Sequence, residues 1–379
     1  MKIYHIGVIS FETKETKREL KAIGGIQGYI IELINFSLQK KISIGFVGKV
    51  YNFSKTEGFE YLEILKNVTS TNKFLIILFF KSFFIKLPKQ SIIHAHRPDH
   101  FAAFTFFKNK PSIVTLHGQT ARIINDRKGK LIRIIYNFLE RFALKKANAI
   151  LPVDEITKAY YLKLYPQFKN KLHVIPTGVN NEIFKPLDKQ KAREKFGFLK
   201  TDKIILYVGR LEPPKKIEEI VKSLEILLKE NLEYKLIFVG DGILLNEIKQ
   251  LTTRLQLDSY ITFLGIRKRN ELPEIFNLAD VSVLYSRNEG SPLSVKESLA
   301  CGIPVVANCV GDIPLVIKNG HNGYLVENDS IDELAKKLEL AIKKSAKLKQ
   351  NCIDSIQHYT TEKVNQKVIN IYKKILNEK

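Results

Sequence analysis

Cysteine is scarce in this 379-residue chain. Cys301, Cys309 and Cys352 form no Cys-x-x-Cys pair and no even framework. That excludes a disulfide-stapled fold and a thiolate zinc site, and it fits a reducing compartment. Long apolar runs are missing too. The stretch from Phe74 to Leu87 is strongly apolar, but it holds only ~14 residues and includes Lys81 and Lys86, against the ~20 apolar residues that cross a bilayer. It is expected as a buried helix, the other reading being an interfacial one. The apolar stretch at the start, Ile3 to Ile9, is too short for a secretory leader. The chain is therefore expected in the cytoplasm, at the inner face of the cell membrane if it meets a membrane.

Carboxylates are sparse in the first half. Residues 1–200 hold 35 Lys+Arg against 15 Asp+Glu, a net +20, whereas residues 201–379 hold 26 against 24, a net +2. A Lys-rich genome explains abundant lysine but not this asymmetry. The basic half is expected to meet anionic lipid, a lipid-phosphate acceptor or nucleic acid. Its aromatic residues sit mostly in apolar runs and are not interleaved with basic ones, so nucleic acid is the least expected of the three. Arg127 to Lys146 mixes Arg127, Lys128, Lys130, Arg133, Arg141, Lys145 and Lys146 with Leu131, Ile134, Ile135, Phe138 and Phe142, which suits peripheral docking on an anionic membrane.

The length exceeds one small core and suggests two domains. Apolar runs at Ile3–Ile9, Ile42–Val47, Ile92–Ala95, Ser112–Leu116, Ala149–Val153 and His173–Ile175 read as buried parallel strands. Helical patterns lie between them at Ile26–Gln39, Lys130–Lys146 and Glu155–Tyr165. The second half repeats the alternation. Its strands are expected at Ile204–Val208, Lys235–Val239, Ile261–Phe263, Val281–Leu284, Ile303–Ala307 and Tyr324–Val326, with helices near 216–230, 242–256, 271–279, 292–301 and 331–346. An α/β fold of two doubly wound, Rossmann-like domains follows, spanning 1–180 and 181–360, with a hinge in Pro176–Lys200. Thr361 to Leu376 is a last amphipathic helix. Ligands of such domains bind at strand carboxyl ends, which places the site in a cleft between the two.

The most informative stretch is 286–308. A strand ending at Leu284 runs into a polar loop that closes on Gly290-Ser291-Pro292. Ser291 is expected as N-cap and Pro292 as the first helical residue, with Gly302 as the stop. A helix start at a strand end attracts phosphate. Glu289 and Glu297 flank it. Carboxylates repel phosphate, so their expected partners are hydroxyls. A diphosphate between two hydroxyl-rich rings, as in a nucleotide-sugar, satisfies the whole arrangement.

Glu289-Gly290-x-Pro292-x4-Glu297-x-x-Ala300-x-Gly302-x-Pro304-Val305 resembles the E-x7-E motif of retaining glycosyltransferases of family 4, which have the GT-B fold. The resemblance is dense over about 200–330 and thinner in the first half. It implies that Glu289 bonds the hydroxyls of the transferred sugar, that Glu297 bonds the ribose, and that the amides of Gly290, Ser291, Pro292-Leu293 and Ser294 help hold the diphosphate. Gly209-Arg210-Leu211 followed by Lys215 and Lys216 resembles the family's diphosphate clamp, in which Arg210 and one lysine offset leaving-group charge. Both lysines fit the spacing, and the family's glycine after the lysine is absent. Val239-Gly240-Asp241-Gly242, Gly311-Asp312 and Asn322-Gly323-Tyr324-Leu325-Val326 extend the resemblance, with Leu315 in place of a usual Glu. Ile266, after Phe263-Leu264-Gly265, is the candidate for backbone pairing with the base.

In the first half, Gly24-Gly25-Ile26 follows a polar loop, Phe11 to Ile23. With Gly28 it imitates a dinucleotide fingerprint poorly, since the loop is long and no acidic residue closes the next strand. It resembles the family's glycine pair, which puts the Gly25 backbone near the donor diphosphate. His117, ending Thr115-Leu116-His117-Gly118, resembles the family histidine beside the transferred sugar. His94-Ala95-His96 with Asp99 and His100 lacks a Cys or carboxylate at ligand spacing, so no metal is expected, nor any cofactor. The resemblance also implies that the last helix, 361–379, returns to the first domain, and that the first domain carries acceptor specificity. The expected reaction is metal-independent hexosyl transfer from a UDP- or GDP-sugar to an acceptor hydroxyl on a sugar, lipid-linked or glycan acceptor, in cell-envelope polysaccharide, glycolipid or glycan assembly. Three alternatives stay open: another GT-B enzyme such as a phosphorylase or a nucleotide-sugar epimerase, a nicotinamide enzyme, and a basic membrane- or nucleic-acid-binding protein without catalysis.

Overall fold

The structure, a computed structural model, describes residues 1–10, 25–51, 58–64, 71–119 and 130–377. The expected loop Phe11–Ile23 with Gly24, and the basic residues Arg127 and Lys128, lie outside the described residues. The chain forms two compact units. One comprises the described residues up to Thr177 together with Thr361–Asn377, and the other spans Gly178–Thr360.

The first unit is a six-stranded sheet of β1 (Lys2–Ser10), β2 (Ser43–Tyr51), β3 (Phe59–Glu63), β4 (Ser91–Ala95), β5 (Ser112–Leu116) and β6 (Ala149–Pro152). The order is β3-β2-β1-β4-β5-β6 with every pair parallel. Its strands read as near-continuous apolar runs because helices cover both faces. Alternation divides them. Ile3, Ile44, Phe46, Ile92, Ile113 and Leu151 pack with the helices Gly25–Gln39 and Thr361–Asn377. Tyr4, Ile6, Val47, Ile93, Val114 and Ile150 pack with the helices Thr71–Phe84, Pro98–Thr105 and Lys130–Lys146. The last helix is integral to this unit, since its Val364, Val368, Ile369 and Tyr372 are buried in the first of these cores.

The second unit repeats the plan with β7 (Lys203–Val208), β8 (Tyr234–Val239), β9 (Ile261–Gly265), β10 (Val281–Leu284), β11 (Val305–Asn308) and β12 (Gly323–Val326), in the order β12-β11-β10-β7-β8-β9. Both orders are those of a doubly wound α/β sheet. Chain direction across the sheet reverses between β1 and β4 in one unit and between β7 and β10 in the other. Ligands of this architecture bind outside the strand ends at that reversal.

Several sequence expectations are corrected. His173–Ile175 is not a strand. Leu172 makes an isolated bridge to Ile150, and the amides of His173 and Ile175 donate to Ile150 and Pro152 before Pro176 ends the pairing. Strand β3 was not expected, because Phe59-Glu60-Tyr61-Leu62-Glu63 is an edge strand with half-exposed side chains and no clean apolar run. The helix Thr71–Phe84 buries Phe74 and Leu78 but leaves Ile76, Phe80, Phe83 and Phe84 exposed, so the expected buried helix is covered on one face only. Inside the expected hinge lies a helix, Lys189–Phe196, started by Asp188, whose carboxylate accepts the Lys191 amide, and stopped by Gly197 in the left-handed region. The helix Ile331–Ser355 outruns its expected end because Leu348 and Cys352 keep its buried stripe going past a lysine-rich segment.

Candidate active site

In the second unit, the loops after β7 and β10 leave the sheet at its reversal. Gly209 opens the first loop, and its amide donates to Val239 O at 2.9 Å. Its neighbour Gly240 has φ +130°, and a Cβ there would lie 1.9 Å from the Gly209 carbonyl oxygen, so only glycine lets the two turns touch. The Tyr207 hydroxyl donates to Arg210 O at 2.8 Å and steadies the next peptide. Pro213–Lys215 form a single 3-10 turn. Lys216 follows in the left-handed region (φ 42°, ψ 48°) and opens the helix Ile217–Leu228.

The second loop is tied to the first through one carbonyl. Pro214 O accepts from Ser286 Oγ at 2.9 Å and from the Arg287 amide at 2.7 Å. This stitching brings Lys215 Nζ within 2.5 Å of Glu289 Oε1, both side chains mostly buried. Lys216 turns elsewhere. It bonds the Asp329 carboxylate and sits 4.9 Å from the Tyr285 ring centroid. Arg210 projects into solvent and pairs with Glu212 at 2.7 Å. Burial, reinforced by the Glu289 charge, pushes the Tyr207 phenol up. The bond from Lys216 holds Asp329 below the usual carboxylate range.

The helix after Glu289 runs Leu293–Ala300 with Pro292 as its N-cap and no side-chain cap. The expected Ser291 cap is corrected. Its hydroxyl donates instead to Asp312 Oδ2 at 2.5 Å and meets Lys296 Nζ. Lys296, fully buried, reaches the same Asp312 oxygen at 2.7 Å. Asp312 also donates its amide to Gly290 O at 2.8 Å. A buried Ser–Lys–Asp group thus holds the turn from beneath, and the N-cap residue, Pro292, offers the first helical amides no side-chain acceptor. Removing one member of such a buried pair typically costs ~3–5 kcal/mol. Sequence reasoning missed Lys296. The available signal was a lysine inside a helix whose other residues read as buried.

Glu297, buried, lies with Oε1 2.8 Å from Arg269 Nη1, and the Arg269 guanidinium stacks 5.0 Å from the Phe184 ring centroid. Arg269 was also missed, and no sequence spacing ties it to Glu297. Ile266, half-exposed, follows Gly265 (φ 67°), whose carbonyl accepts the Gly240 amide at 2.8 Å. Burial and the Glu297 charge push the Cys301 thiol up.

The first unit gathers histidines at its own reversal. His5 Nδ1 lies 3.0 Å from His96 Nε2. His94 bonds the Tyr372 hydroxyl at 2.6 Å and the Thr115 hydroxyl at 2.7 Å. The His117 ring stands 5.1 Å from Tyr29 and 5.8 Å from His96. Burial pulls His5 and His117 down to about 3 and His100 to about 4, and it holds His94 and His96 well below the ordinary histidine value. His5, His94 and His96 each offer a nitrogen within 4.8 Å of the others, the spacing of a metal site. The group contains no carboxylate. A cation there would take one nitrogen of His94 and so displace one of its two partners, Tyr372 or Thr115. Gly25 opens the helix Gly25–Gln39, and among the described residues nothing lies within 4 Å of where its Cβ would stand.

Two family models match the chain. "Glycosyltransferase Family 4" covers residues 23–183, and "Glycosyl transferases group 1" covers residues 188–358. A UDP-Gal:alpha-D-GlcNAc-diphosphoundecaprenol alpha-1,3-galactosyltransferase of Escherichia coli is 30% identical over 65% of this chain and 65% of its own length. An N-acetyl-alpha-D-glucosaminyl L-malate synthase of Bacillus anthracis is 25% identical over 57% of this chain and 54% of its own. A D-inositol 3-phosphate glycosyltransferase of Mycobacterium marinum is 29% identical over 46% and 38%. The chain thus spans less than two thirds of the length of these relatives. Among solved structures, a sucrose-phosphate synthase from Thermosynechococcus elongatus superposes over 100% of both chains with a TM-score of 0.83 at 19% identity. The lipopolysaccharide-biosynthesis glycosyltransferase WaaG covers 98% of this chain and 99% of its own with a TM-score of 0.78 at 15% identity. At such identities these likenesses show the shared fold.

Proposed function

The chain belongs to glycosyltransferase family 4, and from that premise we propose that it moves a sugar from a nucleoside-diphosphate sugar to an acceptor hydroxyl with retention of anomeric configuration. The observation that carries this reading is the meeting of Lys215 and Glu289 at the β7/β10 reversal, beside a helix start whose N-cap, Pro292, offers no side-chain cap. A cation and free amides suit a diphosphate, and an adjacent carboxylate suits sugar hydroxyls. Lys215 is the phosphate lysine in this proposal. Lys216 stands where the family has glycine, in the backbone conformation glycine favours.

Glu289 would orient the transferred sugar and Glu297, positioned by Arg269, the ribose. Arg210, swinging from its exposed pair with Glu212, would join Lys215 on the diphosphate together with the Gly25 backbone and the amides of Gly290, Ser291, Leu293 and Ser294. Ile266 would pair with the base through its backbone, and His117 would support the reacting sugar. The bond from the anomeric carbon to the phosphate oxygen breaks, the bond to the acceptor oxygen forms, and the acceptor proton passes to the leaving phosphate. Positive charge at Lys215 and Arg210 favours that departure without a metal in the scheme. The Escherichia coli relative is named for an acceptor on diphosphoundecaprenol, and a lipid-linked or glycan acceptor is proposed here as well.

Thermal shift of the purified protein against UDP, GDP, ADP, NAD and short DNA tests the reading. A nucleoside diphosphate at 100 times its Kd stabilises by about 2.7 kcal/mol. The expected outcome is a selective response to one diphosphate that Glu297→Ala removes, and turnover that Glu289→Ala abolishes with the fold intact. A response to DNA or NAD and to no diphosphate overturns the proposal.

A further inference from the structure

The helix Thr71–Phe84 and the helix Lys130–Lys146 pack on either side of the helix Pro98–Thr105. Their outward sides form one aromatic wall. Phe83 meets Phe107 with centroids 5.4 Å apart, Phe107 meets Phe106 at 4.9 Å, and Phe106 stacks on Phe142 at 5.5 Å. The wall faces outward within its unit. Phe80 is 65% exposed, Phe83 63%, Phe84 78% and Phe138 65%. Monomeric surfaces rarely gather so many large apolar side chains in one place, and such patches mark contact sites.

The charge around the wall has one sign. Lys81, Lys86, Lys130, Arg133, Arg141 and Lys145 are exposed beside it. Among the described residues from Ile64 to Val153 the only carboxylates are Asp99 and Glu140, and both are buried. Asp99 is paired with Arg97, and Glu140 accepts from the Tyr161 hydroxyl at 2.7 Å. An aromatic wall flanked by cations, with no exposed anion among the described residues from Ile64 to Val153, fits the boundary of an anionic bilayer, where rings enter below the headgroups and lysines stay among the phosphates. A second copy of the same face would set like charge against like. No helix among the described residues is long and apolar enough to cross a membrane.

We propose that this two-helix phenylalanine face seats the protein on an anionic lipid surface, with Phe80, Phe83 and Phe84 entering the bilayer boundary. The helix 130–146 supplies the flanking charge and its own apolar stripe, Leu131, Ile134, Ile135 and Phe138. This extends docking beyond the basic helix that charge alone singles out, and it holds whatever sugar is transferred.

The chain contains no tryptophan, so Phe83→Trp installs a single fluorophore on the face. Its emission is expected to move to the blue when phosphatidylglycerol vesicles are added. The emission of a Leu232→Trp variant, exposed on the second unit, is expected to stay put. The triple variant F80S/F83S/F84S keeps every lysine and is expected to lower flotation with those vesicles at least tenfold, at an unchanged melting temperature because the side chains are exposed. Absence of the blue shift, the same shift in Leu232→Trp, or unaltered flotation of the triple variant overturns the proposal. So does light scattering that shows a dimer dissolved by the triple variant, which would make the face a contact between copies.

Discussion

Two adjacent lysines take opposite parts in the proposed site because their backbones differ. Lys216 sits at φ 42°, where a β-carbon is crowded and glycine is at ease, while Lys215 lies in the preceding turn and reaches Glu289. Lys216→Gly is therefore expected to keep transferase activity within a few-fold. Lys215→Gly is expected to lower kcat/KM by about 10²–10³, the loss typical of removing one group that stabilises transition-state charge. Steady-state kinetics on both variants checks this, and equal losses would dissolve the distinction. At this scale the carboxylates Glu289 and Glu297 were legible in the sequence, because glycine and proline around them mark a strand-to-helix turn. Lys296 and Arg269 were not. Their partners, Asp312 and Glu297, are reached only once separate strands lie side by side. The proposed choice of Lys215 over Lys216 rests on the dihedral angle, which the sequence does not carry.

At the scale of elements, the turn after β8 sets the shape of the turn after β7. A methyl group at Gly240 would strike the Gly209 carbonyl at 1.9 Å and must occupy φ +130°. Gly240→Ala is expected to cost about 2–4 kcal/mol. It should also weaken nucleotide binding, since Arg210 follows directly. Urea unfolding with and without nucleoside diphosphate separates the two effects. Parallel strands were legible as apolar runs, and most helices were legible between them. The helix Thr71–Phe84 was misplaced for a physical reason. It is apolar all round, so its sequence shows no solvent face, although the structure leaves one side uncovered. The helix Lys189–Phe196 was missed because its signals, Asp188 and Gly197, sit at its ends and its body carries little apolar pattern.

At the scale of the whole molecule, acid should undo the first unit. His5, His94, His96, His100 and His117 all have values lowered below 6.5 by burial. A depressed histidine stabilises the fold fully above its unfolded value, and the contribution is lost as pH falls through 6.5 toward about 3. Each adds up to about 1.4 kcal/mol per pH unit to that slope. Glu140, raised to about 7 by burial, works the other way, its contribution present below 4.5 and lost as pH rises through 7. Five groups outweigh one. The urea midpoint followed by circular dichroism should drop steeply between pH 7 and pH 5, and a flat profile would mean that these histidines are not buried as neutral rings. The two-sheet architecture was legible in the repeated strand-helix alternation. The strand order was not, because sequence alternation does not say on which side of the sheet each new strand is laid.

The return of the helix Thr361–Asn377 has a consequence for biosynthesis. Roughly 180 residues separate Thr177 from Thr361, so a ribosome moving at about 5–20 residues per second needs roughly ten to forty seconds between them. During that interval the first unit lacks Val364, Val368 and Tyr372. Completion of the first unit thus waits on residues made after the whole second unit, and until then the nascent first half stands with part of its core unfilled and an outward phenylalanine wall. Such a chain has reason to be handled by a chaperone, or drawn early to a lipid surface, before its last turn of helix is made.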